Sequence, residues 1–200
     1  MLVAAIASSV AAVAIDSTAG SPIPGHKVVE IEWDIEVFPG EHKIFNGTVQ
    51  EVVAKATELN PDFKITVEKR ALGSSEPHVE ARANLNKRGH INCGYWPETQ
   101  AWTAHANVDY LRGVSGRPRN GPGPGACGRI ACQYGSSIWW CNDNTFTKEL
   151  DGFNAIANSA QRIIDVCRWN GPGPNPGVFT AGQNFEDSNW NTIVRGGDNC

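Results

Sequence analysis

The sequence predicts an α+β fold: a mainly antiparallel sheet with two helices on one face, in the order β-α-β-β-α-β-β, stapled by disulfides and preceded by a small βαβ segment. Three observations predict it. Phe153, Ile156, Ala157, Ala160, Ile163, Ile164 and Cys167 recur at helical spacing, with Asn154, Asn158, Arg162 and Asp165 on the other face, which is the pattern of a helix with one buried stripe. Residues 127–133 and 136–142 are strand-like arms on either side of Tyr134-Gly135, the signature of a hairpin. All six cysteines, Cys93, Cys127, Cys132, Cys141, Cys167 and Cys200, lie beyond Arg88, and an even set confined to one short stretch is a disulfide framework of open connectivity.

Taken in order, residues 2–14 are an uncharged apolar run, too short to span a bilayer comfortably and the length of a signal-peptide core, so residues 1–20 are expected to be a leader. No later stretch is apolar for long enough to form a transmembrane helix. Val29, Ile31, Trp33, Ile35 and Val37 alternate with Glu30, Glu32, Asp34 and Glu36, a period of two that predicts a strand with one buried face, ended by Pro39-Gly40. Thr48 and Glu51 form a capping box, and Val49, Val52, Val53, Ala56 and Leu59 continue as a helix up to Asn60-Pro61. Phe63, Ile65 and Val67 alternate as a second strand. So small a unit cannot bury its apolar face alone, and it is expected to pair with an edge or cover a face of the domain that follows.

Two dibasic pairs come next, Lys69-Arg70 and Lys87-Arg88, separated by a polar linker. Paired basic residues in an extended, exposed segment are what a kexin-type endoprotease cuts. The organisation predicted is a leader at 1–20, a pro-segment at 21–88 and a mature cysteine-rich domain at 89–200, secreted and extracellular. Asn46-Gly47-Thr48 is the one glycosylation sequon, and it marks Asn46.

In the mature region, residues 89–93 are a short strand candidate, and Ala101, Ala104, His105, Val108 and Leu111 place a helix over residues 98–112. Residues 117–125 read Arg-Pro-Arg-Asn-Gly-Pro-Gly-Pro-Gly and are expected to form a surface loop without ladder bonds, because proline lacks a donor and glycine is costly to order. A second Gly-Pro loop covers 171–174, and strands are expected at 178–185 and 190–195. Cys167 on its apolar stripe is placed to staple the second helix to the sheet.

The chemistry of the chain is sparse. Residues 89–200 hold eight Arg and Lys against nine Asp and Glu, so the continuous basic footprint of a nucleic-acid partner is absent. His90 and His105 are its two histidines, and a histidine beside an apolar stripe is read as structural. Ser136-Ser137 sits in a strand and lacks the nucleophile elbow. Glu98, Asp109, Asp143, Glu149 and Asp151 are the carboxylates that a glycosidase pair would draw on, and they read as solvated helix and loop charges. Cys127 and Cys132 lack a second ligand pair at zinc spacing, and the alternate prolines of the glycine-rich loops delete the N–H donors of a phosphate nest. No metal and no cofactor is expected. Trp139 and Trp140 are adjacent on a strand and must face opposite ways, so one is exposed or covered by the pro-segment, or else a helix or loop covers each face. With Arg117, Arg119 and Arg129 they make up the candidate binding surface.

The run from Asn120 to Asn144, with its Gly-Pro-Gly-Pro-Gly, Cys127, Cys132, Trp139-Trp140-Cys141 and Asn142-Asp143-Asn144, resembles a group of small secreted cysteine-rich fungal proteins classed as candidate effectors. Gly182-Gln183-Asn184-Phe185, the ending Trp190 to Arg195 with Cys200, and the Asn46 to Glu51 helix start carry the same resemblance. Ile91-Asn92-Cys93 and the order of elements are distantly similar to the killer toxins of smut fungi. The resemblance implies a secreted, non-enzymatic interaction protein, effector-like or toxin-like, released from its precursor, with its own pro-segment as a partner before cleavage. The partner expected after release is an extracellular protein or a cell-wall polysaccharide. The alternative is a protein that binds cell-wall polysaccharide through exposed tryptophan, and a secreted hydrolase is third.

Overall fold

The computed structural model describes residues 20–65, 89–174 and 176–200. The expected leader up to residue 19, both dibasic pairs (Lys69, Arg70, Lys87 and Arg88) and Val67 lie outside them. The described elements are β1 (Lys27–Val28), β2 (Glu32–Phe38), β3 (Glu41–Asn46), α1 (Val49–Leu59), β4 (Ile91–Cys93), β5 (Thr99–Gln100), α2 (Ala101–Gly113), β6 (Arg117–Asn120), β7 (Ala126–Gln133) and β8 (Ser136–Asn142). They continue as β9 (Lys148–Glu149), α3 (Phe153–Cys167), β10 (Trp169–Asn170), β11 (Val178–Thr180), β12 (Gly182–Glu186) and β13 (Trp190–Gly196). The fold is α+β and mostly antiparallel.

The main sheet runs β1-β7-β8-β13-β12-β4, built on the expected β7-β8 hairpin, and only β1 joins it in parallel. Strand alternation sorts its side chains. Ile138, Trp140, Trp190 and Val194 enter a large core with α2 and α3, whereas Trp139, Cys141 and Ile193 pack on the opposite face with Cys127, Ile23, Val28 and Trp96. Cys93–Cys167 staples β4 to α3, Cys127–Cys141 links facing positions of the hairpin, and Cys132–Cys200 ties the last residue to β7. Cys167 therefore does what its place on the apolar stripe predicts.

The front of the chain departs most from expectation. Among the described residues three helices cover the domain where the fold class placed two on the sheet, because α1, expected within a separate front segment, packs against α2 and β7. The segment is not βαβ: Pro39-Gly40 turns β2 back into β3 as a hairpin, and residues 63–65 form no strand. A second sheet runs β3-β2-β6-β9, and a third runs β10-β11-β5.

Residues 117–120, expected to be loop, are the strand that receives the front segment, with Trp33 opposite Pro118. The Pro118 carbonyl accepts from Leu150 N–H at 3.2 Å. Since the nitrogen and carbonyl of one strand residue face the same side, the missing proline donor faces the β9 side, and the β2 ladder loses nothing. Residues 121–125 do form a loop. It is held by buried Asn142, which donates to Gly121 O and Phe146 O, each at 2.8 Å. Asn120 donates to Trp140 O at 2.8 Å, and Asn144 to Asn189 O at 2.9 Å. The asparagines of the Asn120 to Asn144 run thus spend their amides largely on backbone carbonyls of the loop and the segments around it.

The cap of α1 is the predicted box. Thr48 N–H donates to Glu51 Oε2 at 2.7 Å, and Thr48 Oγ1 accepts from Glu51 N–H. The Thr48 backbone hydrogen bond holds the Glu51 carboxyl below the ordinary glutamate range, helped by the Thr48 hydroxyl, Lys55 and Arg129 and opposed by partial burial. A depressed carboxylate contributes stability above its unfolded value and loses it as pH falls through the folded one. Acidifying from neutral to below the glutamate range is therefore expected to lower the melting temperature of the parent more than that of Glu51→Gln, and parallel pH profiles would exclude this role. Thr48→Ala is expected to cost about 1 kcal/mol.

Candidate ligand-binding surface

The residues expected to form a binding surface are not brought together. Both neighbouring indoles are buried: Trp140 enters the main core, and Trp139 is covered on the other face by Ile23 and Val28 of the front segment. The C-terminal tail closes over the same face. Trp139 Nε1 donates to Asp198 Oδ2 at 2.7 Å and to Ser137 Oγ at 3.0 Å, Ser137 also bonds Asp198, and Arg195 pairs with Asp198 at 3.3 Å. Each face of the strand is therefore covered: Trp140 by the helical core, and Trp139 by the front segment and the tail. Arg117 and Arg119 share Glu149, at 3.1 and 3.5 Å. Arg129 lies elsewhere, 6.0 Å over the Trp139 ring, and donates to Asn199 O. The three arginines do not form one anionic-ligand patch.

The candidate carboxylates are likewise dispersed. Glu98 accepts from Trp169 Nε1 at 2.7 Å, Asp143 from Asn191 at 2.8 Å, Glu149 serves the two arginines, and Asp109 lies 3.9 Å from Arg112. His105 is half-buried on α2 and His90 is exposed. Asn46, the glycosylation candidate, is exposed at the end of β3.

What reaches solvent is a different aromatic set, arranged around residues 94–102. Tyr95 is 90% exposed and Tyr134 is 73% exposed, and both hold a positive φ, 66° and 52°. A left-handed non-glycine residue costs on the order of 1–3 kcal/mol. At the β7-β8 turn, Tyr134 and Gly135 both have positive φ, the two-residue hairpin geometry that favours Asn-Gly, and here a large aromatic takes the first place. Trp102 lies off the inward stripe of Ala101, Ala104, Val108 and Leu111, so it points outward, 59% exposed, with its ring 5.6 Å from that of Tyr134.

On the other side of the segment, β5 pairs with β11, and β11 with β10, so Gln100, Phe179 and Trp169 form one cross-strand row. Trp169 is 43% exposed, 5.7 Å from Phe179, and fixed through its indole N–H by Glu98. The second Gly-Pro loop backs this row. A Cβ on Gly171 would stand 2.7 Å from the Phe179 ring, so glycine there permits the close approach that seats the ring. An open cleft of about 320 Å³ lies among Arg168, Trp169, Asn170 and Val178. An indole whose N–H is already satisfied presents a rigid apolar surface, and the Asn and Arg beside it can hydrogen-bond hydroxyl groups. Sequence reasoning passed over Trp102 and Trp169. The signal for Trp102 was present, since it falls beside the apolar stripe of its helix.

No protein-family model, no curated protein and no solved structure matches the chain. Among the described residues no helix is long and apolar enough to cross a membrane, and no group of His, Cys, Asp and Glu is placed to hold a metal ion.

Proposed function

We propose that the chain is a secreted, non-enzymatic interaction protein of the effector or killer-toxin type, made as a precursor, and that it recognises an extracellular partner through Trp102, Tyr134, Tyr95 and Trp169. The observation that supports this reading most is that these exposed aromatics converge on one short segment of a disulfide-locked scaffold. Rigid aromatics on a stapled frame lose little conformational entropy on binding, which suits them to recognition. Trp102→Ala and Tyr134→Ala remove side chains that contribute little to the core, so the melting temperature should hold within a few degrees. Activity on target cells should fall at least about tenfold, the cost of losing one hot-spot residue. Full activity in a Trp102→Ala, Tyr134→Ala, Trp169→Ala variant would reject this surface.

The Trp169 cleft favours a second reading, in which the partner is a cell-wall polysaccharide whose sugar rings stack on the indole while Asn170 and Arg168 bond their hydroxyls. Pull-down on insoluble chitin and glucan separates the two. Depletion from the supernatant that Trp169→Ala abolishes supports the polysaccharide, whereas a parent protein that stays in solution with both solids leaves the protein partner.

A further inference from the structure

We infer that residues 20–65 are a permanent half of the folded protein, and that cutting the chain anywhere within residues 66–88 leaves a two-chain, non-covalent complex instead of releasing residues 89–200. This goes beyond the proposed function, which has the chain made as a precursor, and replaces the sequence expectation of a released 89–200 domain; it does not depend on which bond is cut. The observations are on both sides of the junction. Ile31, Trp33, Ile35, Val37, Val49, Val52 and Ala56 of the front are buried in the same cluster as Val108, Ile130, Phe153 and Ile156 of the rear. Trp33 stacks on Phe153 with ring centroids 4.0 Å apart and planes at 15°.

The backbone joins them as well. β2 fills one side of β6, and β1 adds to the edge of β7, with further bonds from Lys27 N–H to Gly125 O at 2.8 Å and Val29 N–H to Cys127 O at 2.9 Å. Gln50 bridges polar groups across the junction: its amide donates to Asn107 Oδ1 at 3.0 Å and accepts from Cys132 N–H at 3.1 Å. Trp96 Nε1 donates to Pro22 O at 2.9 Å, under the layer where Ile23 and Val28 cover Trp139.

Removing the front would strand all of these at once: the Phe153 ring, the open side of β6, the edge of β7 and the Trp139 face. Each buried aromatic hides about 150–250 Å², and isolated soluble domains rarely expose contiguous apolar patches beyond a few hundred Å². The covalent connection of the two parts adds only an effective concentration, on the order of mM, so its loss is outweighed wherever the intrinsic affinity is tighter than mM. No disulfide crosses the junction, since every cysteine lies beyond Arg88. The two chains are therefore held by packing and hydrogen bonds alone, and denaturant should separate them without reductant.

The test uses the full chain with the recognition sequence of a site-specific protease placed within residues 66–88. After complete cutting, gel filtration at roughly micromolar concentration should give one peak containing both chains. The pair should melt in a single transition that rises with protein concentration, as mass action requires for a complex. Mild non-reducing denaturant should resolve the two chains. Recovery of the rear chain alone under native conditions, with an unchanged melting temperature, overturns the inference. If the inserted sequence lowers the yield, the same cut placed elsewhere in the segment must give the same single peak, and separation at any of these positions counts against it.

Discussion

Trp33→Ala is expected to destabilise the whole chain by about 3–5 kcal/mol, the cost of removing a fully buried indole, and to lower the melting temperature by roughly 10 °C for a domain of this size. Trp33 is entirely buried, stacks on Phe153 and donates from Nε1 to Gly47 O at 2.8 Å. Its loss opens a cavity between front and rear and also leaves the Gly47 carbonyl without this donor. Because both parts share one core, unfolding followed by aromatic signals of the rear, such as Trp140, should shift together with that of the front. Ile44→Ala is the comparison: Ile44 lies on the same hairpin but is exposed, so its replacement should stay within about 0.5 kcal/mol. Equal shifts for the two variants, or a rear that melts as before in Trp33→Ala, would disprove the shared core.

The second large effect belongs to the disulfides. Cys93–Cys167 and Cys132–Cys200 span sequence separations of 74 and 68, and Cys127–Cys141 spans 14. In the chain-entropy account the long closures contribute about 4 kcal/mol each and the short one about 3 kcal/mol. Their sum is comparable to the entire stability of an ordinary domain, roughly 5–15 kcal/mol. Full reduction is therefore expected to unfold the protein at or near physiological temperature. Replacing the Cys93–Cys167 pair by alanines should cost more than replacing the Cys127–Cys141 pair, whose facing strands are already held by the hairpin ladder. A reduced protein with an unchanged melting curve would show that the cross-links carry no folding energy.

Both expectations bear on function through the same geometry. Trp102 sits on the first turn of α2, Trp169 on the short strand β10, Tyr134 on the β7-β8 turn and Tyr95 between β4 and β5, all on the disulfide-stapled frame. Glu98, three residues before α2 begins, fixes Trp169, while the loop around Gly171 seats Phe179. Loss of the Cys93–Cys167 link between β4 and α3 should loosen Trp169, which lies two residues past Cys167 on the chain.

Sequence alone determined the parts whose partners are neighbours along the chain. The stripe of α3, the β7-β8 hairpin around Tyr134-Gly135, the buried alternation from Ile31 to Val37 and the Thr48-Glu51 cap each depend on contacts within a few residues, so periodicity and capping chemistry made them legible. The tertiary structure alone decided what each face meets. β6 is a strand because β2 and β9 arrive from distant sequence to pair with it, despite a proline that reads as loop. Trp139 is buried because residues 20–28 and the Asp198 tail close over it, whereas among the described residues no element closes over Trp102 and Trp169. Alternation along a strand fixes only that two successive side chains face apart. Which side becomes interior is set by long-range packing, and that free energy is not encoded in any local window of the chain.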